Sequence, residues 1–273
     1  MIRFGVCAKA EQLDAVIEAG YDYIELGLAK IAALSDEEFA ELEKLIQTSP
    51  IKAETYNGFF PVDIPIVGEA VDMDGIAAYA EKALSRASRL GGSIAVLGSG
   101  NSRRVPEGFS RDTARQQFCA VFDLCSNIAG KYGMAVALEP LRASECNFIN
   151  TVAEGLDICK QVNNPNGKCL ADFFHVYQSG ESLDDIRFSD VCLIHTHLAA
   201  PDRTMPATDS DIAQCKVWAQ ALKDCGYAGR MSLEGKFAED FKADIARTRK
   251  VLDLFNELYA YGAGKPACAV FAA

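Results

Sequence analysis

The chain has 273 residues, 49% of them hydrophobic and 24% charged, with a formal net charge of −11 and a pI near 4.8. That length suits one large domain, and so acidic a surface repels phosphate backbones, which excludes nucleic acid as an expected partner. No apolar run approaches the roughly 20 residues of a bilayer span, so no membrane association is expected.

Met1-Ile2-Arg3-Phe4-Gly5-Val6 reads as the start of a strand rather than a signal peptide, so a cytoplasmic location is expected. Ile2–Ala8 is the first apolar strand, followed by a short helix over Glu11–Ala19 that Gly20 closes. Tyr23–Leu26 reads as strand two, and Ser35 caps a helix to about Gln47, with Glu38 three residues on completing a capping box. Strand three is Ile51–Thr55, and a long loop with Phe59, Phe60, Pro61 and Pro65 leads to a helix over Asp74–Leu90. Strand four is Ser93–Leu97. The loop Gly98–Asp112 then precedes a helix over Thr113–Tyr132.

Met134–Leu138 is strand five, with a helix over Thr151–Val162. Lys168–Ala171 is strand six, with a short helix over Leu183–Phe188. Val191–His197 is strand seven, with a helix over Asp211–Cys225. Arg230–Leu233 is strand eight, and a last helix runs from about Glu239 to Tyr261 before a tail that frays from about residue 263. Strands that read as short continuous apolar runs fit a parallel sheet covered on both faces. Eight strand–helix repeats with no linker predict one α/β domain over 1–273, a (β/α)8 TIM barrel, with a doubly wound sheet as the runner-up. The motif that would favour the runner-up is missing, because Gly98-Ser99-Gly100 lacks the third glycine of a dinucleotide fingerprint. The ten cysteines are scattered without a C-x-x-C pair, and they read as reduced core thiols.

Four strands finish on groups that bind metals. Strand five ends in Glu139, strand six in Asp172, strand seven in His197 and strand eight in Glu234. In a barrel the carboxyl ends of the strands converge on one rim. Two carboxylates about 5 Å apart repel by roughly 3 kcal/mol at an effective dielectric near 20, so three of them in one pocket call for a cation. One imidazole with three carboxylates suits a divalent ion, manganese or magnesium first, with cobalt or zinc as further choices. Arg203, six residues past His197, stands where it can balance the remaining charge. Taken singly, each residue has a plainer role: Asp172 reads equally well as the N-cap of the turn after strand six, and a strand histidine is commonly hydrogen-bonded core. Their recurrence at one register of successive strands favours the joint site.

Ala137-Leu138-Glu139 with Glu145 six later, Asp172-Phe173-Phe174-His175, His195-Thr196-His197 with Arg203 six later, and Ser232-Leu233-Glu234 together resemble the xylose-isomerase-like superfamily. Within it the chain is similar to sugar isomerases and epimerases of the ketose 3-epimerase type. The resemblance implies one divalent metal held by Glu139, Asp172, His197 and Glu234, with Glu139 and Glu234 also acting as the acid/base pair. The reaction implied is proton abstraction alpha to a carbonyl through a cis-enediolate, on a sugar or sugar phosphate. Glu145, His175 and Arg203 would bind substrate, and His195 would orient its neighbour rather than ligate. Dehydration of a keto-inositol on the same site is the alternative chemistry. A DNA-repair endonuclease of the same superfamily needs three zinc ions and many histidines, whereas this chain has three histidines in all. The sequence departs from the epimerases in the loops after strands seven and eight, Leu198–Arg203 and Gly235-Lys236-Phe237, so substrate identity and oligomeric state stay open. Phe59 and Phe60 either wall the substrate or pack as a satellite core, and Arg103 and Arg104 either hold an anion or lie in solvent.

Overall fold

A computed structural model describes residues 1–260 apart from 190, 191 and 239. Eight parallel strands pair in sequence order and β1 closes on β8, giving the expected barrel. The strands are β1 (Arg3–Cys7), β2 (Tyr23–Gly27), β3 (Lys52–Asn57), β4 (Ile94–Leu97), β5 (Ala135–Leu138), β6 (Gly167–Asp172), β7 (Leu193–Leu198) and β8 (Arg230–Leu233). The helices are α1 (Leu13–Glu18), α2 (Leu28–Ala33), α3 (Asp36–Thr48), α4 (Met73–Arg89), α5 (Arg111–Lys131), α6 (Val152–Val162), α7 (Phe173–Gln178), α8 (Asp184–Arg187), α9 (Asp209–Asp224) and α10 (Phe241–Ala260).

Capping chemistry explains most of the starts. Ser35 and Glu38 exchange reciprocal hydrogen bonds of 3.1 and 2.8 Å at the head of α3, as expected. Ser110, Thr151 and Thr208 cap α5, α6 and α9, so α5 and α9 each begin two residues before the periodicity suggests. Two short helices escape the sequence pattern: α2, directly after β2, and α7, directly after β6. Each is a six-residue turn. That is too short to establish a 3.6-residue period against a flanking apolar strand. Val191, Glu239, Tyr261 and the tail lie outside the described residues, so β7 is described from Leu193 and α10 from Phe241.

Strand alternation sorts the side chains into two layers. Ala95 and Leu97, Val136 and Leu138, and Cys169 and Ala171 pack outward into the main core under the helices. Ile94, Val96, Ala137 and Leu170 form a separate buried cluster inside the barrel. Two residues further along each strand, the inward register reaches Gly98, Glu139 and Asp172. The carboxylates therefore point into the barrel mouth because they share the inward register of the apolar residues beneath them.

Gly5 serves the same lumen. A Cβ built there would meet the Tyr23 ring at 2.1 Å, and the Tyr23 hydroxyl passes over Gly5 from β2 to share a 2.9 Å hydrogen bond with Ser232 Oγ on β8. Gly5→Ala should lower the unfolding free energy by about 1–3 kcal/mol through overpacking. Urea denaturation with an unchanged midpoint would show that the ring does not need that space.

Candidate active site

Glu139 follows β5, Asp172 ends β6, His197 sits one residue before the end of β7, and Glu234 follows β8. The register pairs Asp172 with His197 directly. One ligand atom from each of the four residues lies within 4.8 Å of the others. His197 Nδ1 approaches Glu139 Oε1 at 3.4 Å and Glu234 Oε2 at 3.2 Å. Neither His197 Nδ1 nor Glu139 Oε1 has a hydrogen-bond partner, although both are buried. Orphaned polar atoms of this kind are costly. Here an imidazole nitrogen and a carboxylate oxygen face one point, which is the ligand pair a divalent cation accepts once it displaces the ring proton. The residues therefore fit a metal centre.

Charge within the cluster is unevenly relieved. Burial raises the Glu139 carboxyl, and burial with repulsion from Glu234 and Glu139 pushes Asp172 up to about 7. Burial also acts against ionised Glu234, but His197 and Arg203 beside it outweigh that and hold its pKa down at about 2. The charged His197 ring is likewise disfavoured by burial, yet Glu234 and Glu25 overcome it and hold the pKa well up.

Glu25 is the residue that the strand-end pattern missed. It is fully buried in the middle of β2, where its carboxylate bridges His195 Nε2 at 2.9 Å and His197 Nε2 at 3.0 Å. Thr55 Oγ1 donates to the same carboxylate at 2.6 Å. With Nε2 held by Glu25, Nδ1 is the nitrogen that His197 turns toward the cluster, where a bound cation would take the place of its proton. A carboxylate inside the apolar run Tyr23-Ile24-Glu25-Leu26 was the available signal, since an ionisable group in a buried strand needs a partner. His195 does not reach the four-residue cluster. It shares Glu25 with His197 and lies 3.0 Å from the Arg230 carbonyl, which is an orienting arrangement.

The remaining expected residues gather around the cluster. Asp172 takes the N-cap role that the sequence allowed, its Oδ1 accepting from the Phe174 amide at 2.9 Å, and this leaves Oδ2 in the cluster facing Arg203 Nη1 at 3.4 Å and His175 Nε2 at 3.5 Å. The cap starts α7, and α7 delivers His175. Burial and Arg203 push the His175 pKa down to about 3, so its ring is neutral. Arg203, at a left-handed φ of +67°, donates to Glu234 Oε2 at 2.9 Å and stacks 4.6 Å from the Phe174 ring. Asn57, also unforeseen, donates to the other Glu234 oxygen at 3.0 Å. A cavity of about 260 Å³ is lined by Glu139, Glu234, Arg203, His175, Glu145 and Asn57, among others. Gly98 lines it too, and a Cβ there would meet Glu139 Oε2 at 2.2 Å.

Two open questions from the loops are resolved. Phe59 and Phe60 are buried and stack with each other and with Tyr79, so they form a satellite core rather than an exposed wall. Arg103 is wholly buried, not solvated, and Arg104 donates to the Glu145 carbonyl at 2.6 Å. All nine described cysteines are free thiols.

With this geometry in hand, comparison with known proteins is direct. Residues 13–257 match the family described as "Xylose isomerase-like TIM barrel", and the chain belongs to that family. A D-psicose 3-epimerase of Agrobacterium fabrum is 26% identical over 257 residues, covering 86% of each chain. A probable ketose 3-epimerase of Synechocystis sp. is 32% identical over 155 residues, 55% of this chain and 52% of that one. The crystal structure of a D-psicose 3-epimerase in the presence of D-fructose superposes with a TM-score of 0.78 at 21% identity, covering 94% of this chain and 99% of the other.

Because the three carboxylates repel, Asp172→Asn should stabilise the metal-free protein by roughly 1–3 kcal/mol while keeping the α7 cap through its amide oxygen. Thermal melts in the presence of a chelator check this, and a lower melting midpoint would mean that the carboxylate is already compensated.

Proposed function

We propose that this chain is a divalent-metal-dependent ketose epimerase or isomerase acting through a cis-enediolate. The observation that carries the proposal is the convergence of Glu139, Asp172, His197 and Glu234 within 4.8 Å, with two of their buried atoms left without partners. These four residues would hold the ion, manganese first by its preference for oxygen-rich sets. When bound, a divalent ion supplies Lewis-acid stabilisation of the oxygen charge that develops as a proton leaves the carbon alpha to the carbonyl.

The chain's own residues do the rest. One of Glu139 and Glu234 removes the alpha proton and the other returns a proton. Return to the same carbon from the opposite face epimerises; return to the neighbouring carbon isomerises. Asn57 and Arg203 each hold one Glu234 oxygen, which fixes that carboxylate's plane. Neutral His175, Glu145 and Arg203 present donors and acceptors to the hydroxyls. The cations beside the cavity are already paired with carboxylates or carbonyls of its wall, Arg203 with Glu234, Arg142 with Glu145 Oε1 at 2.8 Å and Arg103 with backbone carbonyls, so none is free for a phosphate charge. That distribution favours a free sugar over a sugar phosphate. The D-psicose 3-epimerase and ketose 3-epimerase relatives support the same choice.

Incubation with Mn²⁺ and a panel of ketoses should give a mass-neutral product in H₂O and one incorporated deuterium in D₂O, with activity lost to chelator and restored by metal. Glu139→Gln and Glu234→Gln should each lower kcat roughly a thousandfold with the fold intact. Loss of water from the substrate would instead indicate the dehydratase chemistry, and no conversion of any ketose would end the proposal.

Glu25→Gln should weaken Mn²⁺ binding by about 10–100-fold, because an amide in either orientation serves the two imidazoles less well. Calorimetric titration of the metal-free protein reads this directly. Unchanged affinity would remove Glu25 from the site.

A further inference from the structure

Arg103 is among the largest fully buried side chains of the molecule; no ion pair among the described residues includes it, and its Nε is buried without a partner. A buried guanidinium is ordinarily matched with a carboxylate. This one is spent on backbone carbonyls instead. Nη1 donates to the Glu139 carbonyl at 2.8 Å and to the Leu97 carbonyl at 3.3 Å, and Nη2 donates to the Ile149 carbonyl at 3.3 Å. Leu97 and Glu139 stand at the carboxyl ends of β4 and β5, and the Glu139 amide already bonds the Leu97 carbonyl at 3.2 Å. The fork therefore closes over the last rung of the ladder at the residue whose side chain enters the acidic cluster.

The other end of the fork holds a strained loop. Ile149 adopts a φ of +59°, a left-handed conformation that a β-branched residue rarely takes without compensation. Its carbonyl accepts from both Arg103 and the Leu141 amide, the latter at 3.2 Å. The next residues of the β4 loop continue the seam. Arg104 donates to the Glu145 carbonyl at 2.6 Å, and Val105 exchanges bonds of 3.0 and 2.9 Å with the Asn147 side chain. Gly98 closes the Glu139 carboxylate from the β4 side, since a Cβ there would overlap it. Nothing aliphatic could satisfy three carbonyls at once, and a lysine ammonium lacks the planar fork that spans two strand ends and a loop.

We infer that Arg103 is a positioning residue for the proposed proton transfer, clamping the backbone of Glu139 while tying the β4 loop to the loop that carries Glu145. The inference builds on the proposed ketose reaction. It assigns Arg103 and Arg104 separable effects: the first acts through Glu139 and so on kcat and metal affinity, the second through the Glu145 loop and so on KM.

The test compares Arg103→Lys and Arg104→Ala with wild type, at a temperature where circular dichroism shows each fully folded. Arg103→Lys should lower kcat at least tenfold with KM within threefold, and should weaken Mn²⁺ binding to the metal-free protein at least tenfold by calorimetry. Arg104→Ala should raise KM severalfold with kcat held. Wild-type kcat and Mn²⁺ affinity in folded Arg103→Lys overturn the inference, as does an equal effect of both variants on one parameter. Inactive wild type fails the ketose reading instead, and the Mn²⁺ titration then decides the clamp. Should Arg103→Lys not fold, amide deuterium exchange of the wild-type protein decides. The Glu139 and Leu141 amides should be protected both with and without Mn²⁺; fast exchange until metal is added would place the positioning in the ion and overturn the inference.

Discussion

Like charges held close together in a medium of low polarisability repel strongly, and this protein places Glu139, Asp172 and Glu234 around one imidazole at the mouth of its barrel. Most of the surrounding architecture answers that repulsion. Arg203 reaches in from the β7 loop to Glu234 and Asp172. Glu25 draws the far side of the His197 ring toward itself, so that the near side turns Nδ1 to the carboxylates. Two atoms of the cluster, His197 Nδ1 and Glu139 Oε1, are buried without hydrogen-bond partners and mark where compensation from protein groups ends there. A site that leaves polar atoms unsatisfied is one the fold tolerates for function rather than stability.

The barrel meets that demand by simple repetition. Strand alternation puts apolar side chains in the lumen and, two residues on, the functional groups at its rim. Short devices then set each group's angle: the Asp172 cap that also starts α7, the bare Gly98 beside Glu139, and the left-handed turn at Arg203. The loops after β4 and β5 are joined by side chain to backbone bonds from consecutive residues, Arg103 to Val105. The proposed proton transfer would call for such fixed loops, because a small displacement of either carboxylate is costly in rate.

Membership of the xylose isomerase-like TIM barrel family supplies the fold and the rim that carries the chemistry. The epimerase relatives are similar over most of the chain in one case and about half in another. The particulars of this molecule lie in the seams between its loops. The segments after β7 and β8, where the sequence departs from the epimerases, are joined here: the Lys236 amide donates to the Arg203 carbonyl at 2.7 Å.

Much of this was legible in the sequence, for a physical reason. A parallel strand buried on both faces is a short apolar run, and a polar residue at its end stands out against it; Glu139, Asp172, His197 and Glu234 could be read that way. The capping box at Ser35 and Glu38 was visible because its partners are three residues apart. Glu25, Asn57 and the role of Arg103 were not, since each depends on partners far along the chain: 172 residues separate Glu25 from His197, 177 separate Asn57 from Glu234, and 36 separate Arg103 from Glu139. Helix α7 was hidden because six residues are too few to show a helical period beside an apolar strand, although its cap at Asp172 could be read. The sequence by itself thus determined the barrel and the ends of its staves, because both follow from local periodicity. Only the tertiary structure decided which groups orient the histidine, hold the carboxylates and bind the loops, because those contacts exist only once the barrel closes.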